Sequence, residues 1–79
     1  MQLGNFKVEF QHNSKVGTRC VVKDPETEAV LYEGWGKIHH TDQFCRAKGR
    51  KVSFAKAIAT LPREQRTDMW IDYLHLLNV

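Results

Sequence analysis

Residues 39–61 read HHTDQFCRAKGRKVSFAKAIATL, and the fold class turns on whether this stretch forms one helix. Thr41 is a good N-cap, and Asp42 places a carboxylate in the first turn, where the positive end of the helix dipole favours it. At helical spacing Phe44, Val52, Ala55, Ile58 and Ala59 share one side, with Cys45 at its edge. Arg46, Arg50, Ser53 and Ala57 share the other, with Lys56 nearby. The expectation is a helix with an apolar face for a core and a basic face for water or a partner. Lys48 and Lys51 fall toward the apolar side in this reading, and Gly49 weakens a helix by roughly 1 kcal/mol relative to Ala. A distortion near Gly49 accounts for both. The alternatives are lysines that carry their charge outward along their stems, or a strand or a ligand backbone that comes close at Gly49.

Before this stretch, residues 5–11 alternate strictly, with Phe6, Val8 and Phe10 on one face and Lys7 and Glu9 on the other. That is the period of a half-buried strand. Asn13, Ser14 and Gly17 are turn residues. Residues 18–23 predict a second strand, with Cys20 and Val22 opposite Arg19, Val21 and Lys23. Asp24-Pro25-Glu26-Thr27 suits a type I turn with Pro25 at its second position. A third strand is expected from about residue 29 to 39, interrupted by Gly34-Trp35-Gly36. Interior glycines weaken strands unless a bulge or close backbone contact requires them. Two readings of Trp35 follow: it projects from the uncovered face of the sheet beside Leu31 and Val21, or a twist tucks it into the core. The second is the expectation.

After Leu61, Pro62 ends one helix and fits the first turn of another. Residues 63–77 predict an amphipathic helix. Met69, Trp70, Tyr73, Leu74, Leu76 and Leu77 form its apolar arc, and Gln65, Asp68, Asp72 and His75 lie outside. The order is βββαα, an α+β domain: a three-stranded antiparallel meander followed by two helices packed on one face. With 79 residues, 42% of them hydrophobic and 27% charged, the chain is expected to be one globular domain, 1–79. No apolar run reaches membrane-span length and no signal-peptide pattern opens the chain, so a soluble, cytoplasmic protein is expected.

Little in the chain suggests catalysis. His39, His40, Asp42 and Cys45 lie close in sequence, but no C-x-x-C pair or H-x-x-x-H spacing marks a metal site. Cys45, beside Arg46 and His40, is the best candidate nucleophile, yet nothing identifies an orienting third group. Both Cys20 and Cys45 are expected to be reduced, small buried hydrophobes. No cofactor, no metal and no enzyme activity are expected.

Charge is more informative. The net charge is +3, and Arg46, Lys48, Arg50, Lys51 and Lys56 are clustered with no acid among them. The sequence reading is a non-catalytic small binding protein whose basic helix face contacts nucleic-acid backbone. Its binding residues would be Arg46, Arg50, Lys51 and Lys56, extended by Lys37, with Trp35 offering a stacking surface for an unpaired base. The alternative is a regulator that binds an acidic host protein surface; in either case a monomer or homodimer is expected, with no membrane. The FKVEF strand, Gly34-Trp35-Gly36-Lys37 and a basic helix are loosely similar to a double-stranded-RNA-binding domain. That family, however, carries a helix before its sheet, and a lysine cluster where Thr41 and Asp42 stand. Asp42-Gln43-Phe44-Cys45, then Gly49-Arg50-Lys51-Val52 and an Ala-rich helix, resembles small phage-encoded proteins of uncharacterised function. That resemblance implies an accessory protein acting on host machinery or nucleic acid.

Overall fold

The computed structural model describes residues 1–37 and 45–77. Four strands and two helices follow one another: β1 (Gln2–Leu3), β2 (Phe6–Asn13), β3 (Gly17–Lys23), β4 (Val30–Lys37), α1 (Arg46–Ala57) and α2 (Arg63–Leu77). The strands form an antiparallel sheet in the order β1-β2-β3-β4. The expected meander is thus present, with a fourth strand added at its start. Two residues are too few to show an alternation, so β1 has no periodic signature. Its presence depends on Gly4, at φ +58°, in the first position of a two-residue hairpin loop. The hairpin brings Leu3 into the core, and the Gly4 N–H donates to Asp72 Oδ2 at 2.9 Å. Asp72, outside the core as expected, therefore ties α2 to the first hairpin.

The turn after β3 is held by Asp24, whose Oδ1 accepts from the backbone N–H groups of Glu26 and Thr27 at 2.8 and 3.2 Å. Such side-chain bonds substitute for ladder bonds where the chain reverses.

One face of the sheet presents Phe6, Val8 and Phe10 from β2, Thr18, Cys20 and Val22 from β3, and Tyr32, Gly34 and Gly36 from β4. Both helices cover this face, and the core runs from Leu3, Val8, Cys20 and Val22 through Phe54, Ala57, Ile58 and Leu61 to Met69 and Tyr73. Each fully buried large side chain in it contributes about 1.5–3 kcal/mol relative to exposure. Phe54 is the centre: its ring stacks on Tyr73, centroids 4.8 Å apart and 9° from parallel, and Trp70 meets it edge-on at 4.8 Å. Burial pushes the Cys20 thiol up to about 12.

The glycines of β4 make α1 possible at its observed height. A Cβ at Gly34 would lie under 3.0 Å from the Ala57 nitrogen, the Ser53 oxygen and the Ala57 Cα. One at Gly36 would be 2.9 Å from the Gly49 oxygen, and one at Gly49 would collide with the Thr18 side chain. Gly49, Ser53 and Ala57, spaced by four, form a ridge of small residues lowered directly onto β3 and β4. The Ser53 hydroxyl, buried against glycine, satisfies itself by donating to the Gly49 carbonyl at 2.7 Å.

This seating corrects several expectations. α1 runs unbroken through Gly49, which serves close approach and not a kink. The helix begins at Arg46, with Cys45 as an extended N-cap residue that makes no side-chain capping bond. Its inward face is Ser53, Phe54 and Ala57, two of which were expected outside. Of the apolar face expected, Ile58 is buried at the end of the helix and Val52 half-buried, whereas Ala55 and Ala59 are exposed, so the helix is rotated from the expectation along most of its length. Ile38, His39, His40, Thr41, Asp42 and Phe44 lie outside the described residues. Cys45 is exposed and only Cys20 is buried. On α2, Met69 and Tyr73 are buried and Trp70 half-buried, but Leu74 and Leu76, expected in the apolar arc, are exposed together with Ile71.

Gly34→Ala forces a methyl against backbone that cannot rotate away, and it should cost about 3 kcal/mol or more. Urea denaturation of the variant checks this, and a midpoint within error of the parent's would contradict the seating. Thiol titration should find one fast-reacting cysteine, Cys45, in native buffer and a second, Cys20, only in denaturant.

Candidate functional site

With Gly49, Ser53 and Ala57 against the sheet, helical geometry sends Lys48, Lys51 and Ala55 to the opposite side. Arg46, Lys48, Lys51 and Lys56 are all exposed. The two lysines expected to point inward are therefore the most outward-facing cations on α1. Arg50 behaves differently from the expectation. It is half-buried, its Nε is shielded from solvent with no hydrogen-bond partner among the described residues, and its guanidinium lies beside the Tyr73 hydroxyl. Burial raises the Tyr73 phenol above its ordinary value, and the Arg50 charge and hydrogen bond oppose that rise.

Trp35 lies on the far face of the sheet, in register with Arg19, and does not enter the core. Its indole N–H donates to Glu33 Oε1 at 3.1 Å, and the ring is half-buried. Lys37, exposed at the end of β4, shares that face by strand alternation. The six residues proposed from sequence thus divide: Trp35 and Lys37 on the far side of the sheet, Arg46, Lys51 and Lys56 exposed on α1, and Arg50 turned inward. The alternative reading, an apolar patch of Trp35, Leu31 and Val21, also does not hold, because Val21 is 1% exposed. Its register neighbours Glu9 and Glu33 are held by Lys23 and Arg19, which draws their stems across it. Lys48, part of the sequence cluster but not among the six, is exposed as well. The spacing Gly49, Ser53, Ala57, matched to Gly34 and Gly36, was the signal that could have set the rotation and exposed Lys48.

The ion pairs sort by side. Among the described residues they are Lys7 with Glu9 and with Glu28, Lys23 with Glu9 at 2.9 Å, and Arg19 with Glu33. All belong to the far face of the sheet or the turn beside it, and none includes a cation of α1. No acid occurs between Gln43 and Arg63, so the helix carries no internal counter-charge. One side of the protein is an interlocked lattice of both signs; on the other, α1 carries exposed cations and no acid, and the acids of that side, Glu64, Asp68 and Asp72, belong to α2.

Among the described residues no three His, Cys, Asp or Glu side chains gather as a metal site would need, and no helix is long and apolar enough to cross a membrane.

The Glu9, Glu28 and Glu33 carboxyls are each held below the ordinary value of 4.5, chiefly by hydrogen bonds to Lys23, Lys7 and Arg19 respectively. A depressed carboxyl contributes stability that is complete above its unfolded value and is lost as pH falls through its folded one. Denaturation midpoints should therefore hold as the pH falls toward 4.5 from these groups' standpoint and decline below it. Glu33→Gln should flatten that decline; an unchanged acid limb would contradict the role given to Glu33. Comparison of the chain with protein-family models, with curated proteins and with solved structures finds no match to any of them.

Proposed function

We propose that the protein is a non-catalytic binding protein whose α1 ridge contacts the phosphate backbone of nucleic acid. The observation that supports this is the charge sorting. Lys7, Arg19 and Lys23 are committed to carboxylates, whereas Arg46, Lys48, Lys51 and Lys56 stand exposed with no ion pair among the described residues. Cations arrayed along a helix without acids neutralise successive phosphates and release their counterions, which gives affinity without sequence preference. Trp35 belongs to the opposite side of the sheet, so base stacking on it is not part of this reading.

The second reading is a regulator that binds a host protein surface, in keeping with the phage-like motif. Ile71 and Leu74, exposed one turn apart on α2, favour it.

Fluorescence anisotropy with labelled single-stranded and duplex DNA and RNA tests the first reading. Neutralising three phosphates of a duplex predicts that affinity falls roughly forty-fold between about 50 and about 200 mM salt. Lys48→Gln with Lys51→Gln should reduce the salt slope by about two, because each phosphate contact contributes about one. Absence of binding to any of the four at low salt, or an unchanged slope in the folded double variant, would overturn the proposal. A protein complex that survives nuclease treatment and is broken by Ile71→Asp would instead establish the second reading.

A further inference from the structure

Met69 and Tyr73 turn α2 toward the core, and helical geometry sends Ile71 and Leu74 away from them. Both are exposed, Ile71 at 60% and Leu74 at 47%. Half-buried Trp70, four residues before Leu74, borders them. Thr67, one turn before Ile71, donates its hydroxyl to the Arg63 carbonyl at 2.9 Å and so brings no unmet polar group to the strip. Thr67, Ile71 and Leu74 are spaced by four and then three, the interval at which two helices mesh along a seam.

The edge of this strip indicates what covers it. Asp68 and His75 are exposed, lie two turns apart on one side of it, and enter no ion pair among the described residues. A second α2 can be laid along the first in the opposite direction, with a two-fold axis passing between positions 72 and 73. Ile71 of each copy then meets Leu74 of the other. The same alignment sets Asp68 of each copy across the seam from His75 of the other, so one operation generates two carboxylate–imidazole pairs. An imidazole N–H donates to a carboxylate whether or not the ring is charged. A parallel pair would instead bring the two copies of Glu64 together in the seam and align the two helix dipoles. The strip is therefore complementary to itself, and best so in one orientation.

We propose that the outer face of α2 is a two-fold interface with a second copy of this chain, packed as an antiparallel helix pair. This goes beyond the nucleic-acid function proposed above and does not depend on it. It assigns to a second copy the strip that the second reading gives to a host protein. One 15-residue helix per copy, about 22 Å long, is a small contact beside the roughly 1,200–2,000 Å² of a stable interface. Association is accordingly weak and follows concentration.

Sedimentation equilibrium of the purified, nuclease-treated full chain, from about 10 μM to about 1 mM, should show monomer passing to dimer. Ile71→Asp, at an exposed position, should weaken association roughly tenfold or more and leave the urea midpoint of the dilute monomer unchanged. Asp68→Lys replaces the acceptor of the pair by a donor, and His75→Asp sets two carboxylates face to face, so each variant alone should dimerise less than the parent. Mixed together, the two should recover dimer, because the mixed pair has a donor opposite an acceptor at both places. Native mass spectrometry identifies that mixed species by its mass. A chain that stays monomeric across the range overturns the proposal, as does a dimer indifferent to Ile71→Asp. Dimers that Ile71→Asp weakens, but whose Asp68 and His75 variants gain nothing on mixing, overturn the antiparallel pairing. A chain that is monomeric alone and captures another protein through Ile71 also overturns it, and the strip then belongs to that partner.

Discussion

The contact of backbone on backbone between α1 and β4 governs the rest of the structure. Where Gly34 and Gly36 lack side chains, the ridge of Gly49, Ser53 and Ala57 descends until helix and strand touch. Height and rotation of the helix are set together by this contact, because no other set of three α1 residues spaced by four is small enough to make it. Rotation then decides every other placement. Phe54 enters the core and receives Tyr73 and Trp70 from α2, Arg50 is drawn beside Tyr73, and Lys48 and Lys51 are left facing water.

The residue pattern discloses the skeleton and conceals the rotation. Strict alternation in FKVEF, the turn residues near Asn13 and Asp24, and Pro62 between two helices are strong local signals, and those elements appear where they were expected. The glycines of β4 likewise signalled a tight crossing. The rotation was hidden because hydrophobic periodicity weighs Val52, Ala55 and Ala59 as apolar and counts serine and glycine as polar. A helix that packs on glycine inverts that weighting, since what it needs inward is small volume. Phe54, inside the core, is the residue a ranking by size should have placed first. β1 was hidden for a different reason: its two residues are strand only because a glycine turn folds them back on β2.

Candidate binding residues were legible as a set but not as a geometry. Cation clustering between Arg46 and Lys56 is visible by inspection, whereas the division of labour within it depends on side. Trp35 illustrates the limit. Its neighbours Gly34 and Gly36 fix it to the far face by simple alternation, and Glu33 then holds its indole, so one strand carries an aromatic away from the cations it was grouped with.

A consequence follows from the way α1 is anchored. The atoms that fasten it are main chain and small side chains, so its outward positions take no part in the attachment. Lys48, Lys51 and Ala55 are in effect a label on a fixed shaft: descendants of this chain could rewrite them, reverse their sign or turn them apolar while the architecture stayed the same. Divergence between related chains should accordingly concentrate on that outer strip and be nearly forbidden at Gly34, Gly36 and Gly49.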